Sequence, residues 1–357
     1  MPKKKICICN AQIPFLWGGA EILVDSLKKE LIQRGFDLEI VQIPFKWYPK
    51  EQLIKSAFAW RLIDIADSCM EKVDLVIGTK FPSYLVKHPN KIVWLIHQHR
   101  PAYDLYGKNP NPYDALLSAT HFNYTVSDQQ IQEMIIKMDN EAFKECKATY
   151  TISKTVADRL QKYNGINGTV IYPPPRHLPP PKKTGYGDFI FTLGRLETLK
   201  RFHLLLEAFR YVKSRAKCVI AGSGFLLKEF NQKIKEYDLT GRVKLTGFVD
   251  DAAISNFYAT CFATFYAPQD EDYGYVTVES FRAKKPVITT SDAGGTLEFV
   301  EPNITGLVAK PDPEEIAAHI DSLYENKTKC RDMGETGFKK IIPINWDTVI
   351  HELTKTL

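Results

Sequence analysis

Pro268-Gln-Asp-Glu-Asp-Tyr-Gly-Tyr-Val-Thr-Val-Glu-Ser280, continued by Lys285-Pro-Val-Ile-Thr-Thr290 and Ser291-Asp-Ala-Gly-Gly-Thr-Leu-Glu298, is the stretch whose reading decides the fold. Upstream, Cys261 to Ala267 is apolar and aromatic, the composition of a buried strand. An acidic loop, Gly274 and a helix from about Tyr275 to Lys284 follow; Pro286 then opens a strand, and a Gly-Gly turn leads into another helix. This alternation implies a parallel sheet whose ligand-binding loops leave the carboxyl ends of the strands. Each helix start offers unpaired N–H groups and a positive dipole end, so each is a candidate anion site.

Glu271 and Glu279 frame the loop with seven residues between them. On one helix, eight residues of rotation would set them about 80° apart. Gly274 instead puts Glu271 in the loop and Glu279 on the helix, so the two can face one pocket from different elements. Two readings are open at this point. One is a solvated acidic loop running into an amphipathic helix; the other is a pair of carboxylates accepting hydrogen bonds from ribose or sugar hydroxyls.

Glu-x7-Glu with an internal aromatic-Gly, then Lys-Pro-Val-Ile and Gly-Gly-Thr-x-Glu, resembles the signature of retaining glycosyltransferases of family 4. The resemblance is strong from about Asp188 to Lys310 and looser, though in order, over the amino-terminal half. It implies an α/β chain of GT-B architecture, with two Rossmann-like doubly wound domains facing a central cleft. The expected divisions are an acceptor-side domain at 1–172, a Pro-rich linker at 173–187, a nucleotide-sugar domain at 188–340 and a last helix in 341–357 that crosses back.

Composition agrees with two domains, since 357 residues exceed what one core usually supports. Hydrophobic residues at 44% and charged ones at 25% are ordinary for a soluble globular protein. A net charge of +5 suits anionic ligands or a membrane surface and is too weak to argue for nucleic acid. Seven scattered cysteines without a CxxC pair, and no secretory leader, point to reduced thiols and a cytoplasmic setting. No apolar run approaches the ~18 residues of a membrane span.

The first domain opens with a strand, Ile6 to Cys9, and a loop ending at Gly18-Gly19 before a helix with Leu23, Leu27 and Leu31 on one face. The paired glycines fit a tight turn or a close backbone approach to a ligand; the resemblance places them near the donor diphosphate and the acceptor. Lys46 to Met70 mixes Trp47, Tyr48, Phe58 and Trp60 with Lys50, Lys55 and Arg61, which fits an interfacial membrane helix or ordinary core packing. The strand Lys91 to Ile96 ends in His97-Gln-His-Arg-Pro101. Two histidines at i and i+2 lack a third ligand for a metal. By the resemblance His97 contacts the donor sugar, with His99 and Arg100 as the other possibilities. Helices are expected near Ala115 and over Ser127–Asp139, and Ser153 is an N-cap.

Six prolines between Pro173 and Pro181 exclude helix and central strand, leaving a linker. The second domain restarts at Asp188 to Leu193, and Gly194-Arg-Leu-Glu-Thr-Leu-Lys-Arg201 gathers cations at a strand end. The resemblance makes Arg195 and Lys200 the diphosphate clamp; Arg201 stands where the family has glycine. Gly222 lies in another permissive turn, and Phe248 and Val249 are the base-pocket candidates by resemblance. Tyr273, Gly274, Tyr275, Val276 and Glu279 complete the implied donor contacts, with Glu271 at the sugar. Asp270-Glu-Asp272 belongs to the Glu-x7-Glu loop and is not a metal-binding DxD.

The expected function is therefore retaining, metal-independent hexosyl transfer from a GDP- or UDP-linked sugar to a carbohydrate or lipid-linked acceptor. The expected setting is cell-surface polysaccharide or glycolipid assembly, in the cytoplasm or peripherally on the inner face of an anionic membrane. A non-catalytic nucleotide-sugar-binding protein and a GT-B epimerase or phosphorylase are the alternatives.

Overall fold

A computed structural model of the chain describes residues 2–68, 71–106 and 128–357. The chain packs as two units, Met1–Pro173 with Asn345–Leu357, and Pro174–Ile344. The helix expected near Ala115 lies outside the described residues. No helix among the described residues is long and apolar enough to cross a membrane.

In the first unit the described residues form a parallel sheet in the order Asp37–Pro44, Lys5–Gln12, Leu75–Gly78, Lys91–Leu95, Ala148–Thr151, Thr169–Val170. Leu75–Gly78 and Lys91–Leu95 are buried at every position. Such continuous Val/Ile-rich runs belong to strands covered on both faces. The helix Gly19–Gln33 buries Leu23, Leu27 and Leu31, one turn apart, each contributing about 2 kcal/mol. Near the carboxyl terminus, the helix Trp346–Leu353 sets Trp346 edge-on to Trp94 at 6.3 Å. The Trp94 indole donates to Ile171 O, and the Tyr150 hydroxyl donates to Glu352 O.

The aromatic-basic segment folds as the helix Lys50–Leu62. Leu53, Ala57 and Trp60 recur at helical spacing and are buried. Trp60 is thus a core residue, not an interfacial anchor, and Arg61 is paired with Glu145 and Leu85 O. Phe58 and Leu62 stay exposed.

The second unit's sheet runs Val243–Gly247, Lys217–Ala221, Phe189–Leu193, Ala263–Phe265, Val287–Thr290, Gly306–Ala309, all parallel. In chain order this is 3-2-1-4-5-6, the dinucleotide-binding arrangement. Its order reverses between Phe189–Leu193 and Ala263–Phe265, so the loops leaving those strands flank the ligand-binding position of such sheets. The helix after Gly274 spans Tyr275–Arg282. After Gly294, however, the chain makes a short 3-10 turn, Gly295–Glu298, where a helix was expected. Thr305 Oγ1 donates to Phe299 O and accepts from Glu301 N–H, which closes the chain into a tight turn instead.

Arg201 occupies the left-handed region at φ 49°, a position the family fills with glycine. It is buried, and its guanidinium donates to Ala267 O at 2.9 Å, Pro268 O at 3.0 Å, Thr290 Oγ1 at 2.7 Å and both oxygens of Asp292 at 2.7 Å. The side chain is a structural tie, not a third diphosphate cation. Arg201→Gly should relieve about 1 kcal/mol of backbone strain but lose charged hydrogen bonds of about 1.5–3 kcal/mol each. Urea denaturation is expected to show net destabilisation; an unchanged midpoint would remove this role. Hydrogen bonding from Arg201 holds the Asp292 carboxyl below its usual range, in spite of partial burial. The pair's contribution is therefore complete above about pH 4 and lost as pH falls through the lowered native value. That part of the acid limb should flatten in Arg201→Gly.

Candidate functional site

Lys200 ends the 3-10 turn Thr198–Lys200, on the loop leaving Phe189–Leu193. Its Nζ donates to Glu271 Oε2 at 2.5 Å and to the Tyr266 hydroxyl at 3.0 Å. Burial works against its charge, but Glu271 and Tyr266 outweigh it and hold the ammonium above its ordinary range. Lys200 and Glu271 are each about one-fifth exposed, at 19% and 20%, so an anion or sugar can still reach them. Arg195 is more open and lies 2.9 Å from Glu197. Gly222 has φ 130°, and a Cβ there would stand 1.9 Å from Gly194 O. The two loops therefore meet backbone to backbone, with Leu196 N–H donating to Ser223 O at 2.9 Å.

The acidic loop is seated on the Gly-Gly turn. Gly295 N–H donates to Glu271 O at 2.7 Å, and Asp270 N–H donates to Asp292 O at 3.0 Å. Gly294 has φ 61°, and a Cβ on it would lie 2.6 Å from both Glu271 N and Glu271 O. Tyr273 packs edge-on between Tyr275 and Phe299, with centroids 5.4 and 5.5 Å away. Tyr273 and Val276 are buried side chains.

Glu279 lies on the helix and is 3% exposed. Its partners are different from those of Glu271: Arg176 Nε at 2.5 Å, Arg176 Nη2 at 3.4 Å and the Tyr258 hydroxyl at 2.9 Å. Burial holds its carboxyl above the ordinary carboxylate range, and Arg176 and Tyr258 offset only part of that rise. Val249 is half-buried and packs against the cluster around Ile254 and Tyr258; Phe248 beside it is exposed at the strand's end and available for stacking.

In the first unit the strand order turns between Lys5–Gln12 and Leu75–Gly78. Gly18 and Gly19 lead into the helix there, and Glu21 fastens them. One oxygen of Glu21 accepts Gly18 N–H at 2.9 Å and the other accepts Lys80 Nζ at 2.6 Å, both side chains being buried. His97 is half-buried after Lys91–Leu95, with Nδ1 2.9 Å from Gln98 O. His99 packs on Phe81, 5.4 Å between centroids, and burial, then His97, push its imidazole well below the histidine range. Arg100 is tied to Asp104 at 2.6 and 3.0 Å.

The structure thus joins Lys200 to Glu271 and sets Glu279 among a second group of partners. Arg176, Tyr258, Tyr266 and Lys80 were missed from sequence; the sole signals were an arginine set among prolines and tyrosines beside apolar strands. Gly294→Ala should displace the Glu271 loop and destabilise the unit by more than about 2 kcal/mol, combining left-handed strain with overpacking. Denaturation and amide exchange over 270–273 check this, and wild-type protection would refute it.

Residues 179–340 match the family model for glycosyl transferases group 1. The chain is 26% identical over 196 residues to an uncharacterized glycosyltransferase of Methanocaldococcus jannaschii, covering 54% of this chain and 51% of that protein. It is 31% identical over 153 residues to N-acetylgalactosamine-N,N'-diacetylbacillosaminyl-diphospho-undecaprenol 4-alpha-N-acetylgalactosaminyltransferase of Campylobacter jejuni, covering 40% and 41%. The match thus spans about half the length, or less, of these relatives. Among solved structures, sucrose-phosphate synthase from Thermosynechococcus elongatus superposes with a TM-score of 0.75 at 16% identity, over 99% of this chain and 98% of that one. With its two parallel Rossmann-like sheets, the chain has the GT-B fold, and its residues 179–340 are similar to glycosyl transferases group 1.

Proposed function

We propose that the protein is a retaining glycosyltransferase that moves a hexosyl group from a GDP- or UDP-linked sugar to a hydroxyl of a carbohydrate or lipid-linked acceptor, in cell-surface polysaccharide or glycolipid assembly. The observation that carries this reading is the Lys200–Glu271 pair, set between the two loops at the switch point of the second sheet. Lys200 and Arg195 take up the diphosphate charge, and the diphosphate replaces Glu271 as the partner of Lys200. Glu271 then faces the sugar and stabilises positive charge at its anomeric carbon. The bond from that carbon to the phosphate oxygen breaks, the acceptor oxygen bonds from the same face, and its proton passes to the departing phosphate oxygen. Gly18 and Gly19 admit the diphosphate by backbone approach, His97 meets the donor sugar, Phe248 stacks on the base and Glu279 accepts ribose hydroxyls. These cations do the work of a metal, so a chelator should leave turnover unchanged.

Arg195→Ala and Lys200→Ala should each weaken nucleoside diphosphate by about 1.5–3 kcal/mol while sparing the nucleoside. Glu271→Ala should lower kcat by two to three decades, about 2.7–4 kcal/mol, at near wild-type diphosphate affinity. Calorimetry and turnover measure these outcomes, and unchanged values in all three variants would overturn the assignment. Peripheral contact with anionic lipid is part of the same reading, through Lys55, Phe58 and Leu62 on the open side of their helix. Vesicle sedimentation at low salt should show pelleting that weakens with salt; its absence would confine the segment to its packing role.

A further inference from the structure

Arg176 sits in the Pro-rich segment near the start of the second unit. Its guanidinium is divided between two carboxylates, with Nε and Nη2 on Glu279 and Nη1 3.0 Å from Asp251 Oδ1. Its backbone is held as well, because Arg282 Nη1 donates to Pro175 O at 3.3 Å and to Arg176 O at 3.2 Å. Both ends of the residue are fixed by the two helices that it touches, Asp251–Thr260 and Tyr275–Arg282.

A carboxyl as deep as Glu279, left alone, would take a proton. Of the roughly four acceptor positions on a carboxylate, Arg176 occupies two and the Tyr258 hydroxyl a third. Among the described residues, one position on Oε1 takes no further donor. An ionised oxygen binds a ligand hydroxyl about twice as strongly as a neutral one. We propose that Arg176 is a positioning residue that keeps the Glu279 carboxylate ionised and aimed at the donor ribose, a role that rests on the ribose assignment made above.

The groups facing Glu279 are Arg176, Tyr258 and Asp251 from neighbouring elements and Tyr275 from its own helix. Of these, Arg176 favours the charged carboxylate and Asp251 opposes it. Without Arg176, Glu279 is protonated at higher pH, so nucleotide affinity should fail earlier as pH falls.

The test is UDP and GDP calorimetry from pH 5 to 8 on wild type, Arg176→Met, Arg176→Gln, Arg176→Lys and Glu279→Gln, with melting temperatures alongside. Arg176→Met and Arg176→Gln should each weaken binding at least tenfold at pH 6 and move the acid limb up by a unit or more. Arg176→Lys should restore most of the affinity and the wild-type limb, while Glu279→Gln should bind weakly without that limb. A wild-type pH profile in folded Arg176→Gln, with Glu279→Gln still weak, would overturn the positioning role and leave the ribose assignment standing. Wild-type binding by Glu279→Gln would overturn the ribose assignment itself, and the inference with it.

Discussion

The guanidinium of Arg201 is the contact on which the ligand-facing edge of the second unit depends. Attached to the loop that leaves Phe189–Leu193, it grips carbonyls after Ala263–Phe265 and side chains at the end of Val287–Thr290. Three loops with no covalent reason to stay together are thereby joined by one planar fork of donors, the geometry that distinguishes arginine from lysine. Because Arg201 is engaged in this way, the neighbouring Lys200 is the residue that meets Glu271. A left-handed backbone at a non-glycine residue costs free energy, and the hydrogen bonds it permits offset that cost.

Both sheets place a lysine–glutamate pair where their strand order turns, yet the two pairs differ in what they can do. Lys80 and Glu21 are buried, and Glu21 also caps Gly18, so the pair fastens a glycine loop and has little freedom to exchange partners. Breaking such a buried pair leaves an uncompensated charge, typically at about 3–5 kcal/mol. Lys200 and Glu271 are partly open to solvent, and an incoming anion can take over one partner. Exposure, more than residue type, separates the structural pair from the one suited to binding.

The same contrast holds between Glu271 and Glu279. The loop residue is held by Lys200, with Tyr266 beside it, and by backbone contacts to the Gly-Gly turn. The helix residue is almost fully enclosed and depends on Arg176 and Tyr258 for its charge. Two carboxylates eight positions apart in the chain thus sit in different surroundings, one partly open to solvent and one enclosed.

By itself, the sequence determined the alternation of strand and helix, the parallel sheets, the helix with Leu23, Leu27 and Leu31 inward, and the placing of Lys200 and Glu271 on loops and of Glu279 on a helix. Those features follow from periodicity, glycine and proline placement and capping, all of which act over a few neighbouring residues. The tertiary structure decided the partners. Arg201 became a tie instead of a phosphate ligand, Trp60 a core residue instead of a membrane anchor, and Val249 a packing group beside an exposed Phe248. Arg176 lies 103 positions from Glu279, Lys80 lies 59 from Glu21, and Lys200 lies 71 from Glu271. Pairing over such distances is set by which strands lie side by side and how deeply each charge is buried, and no local pattern in the chain encodes either.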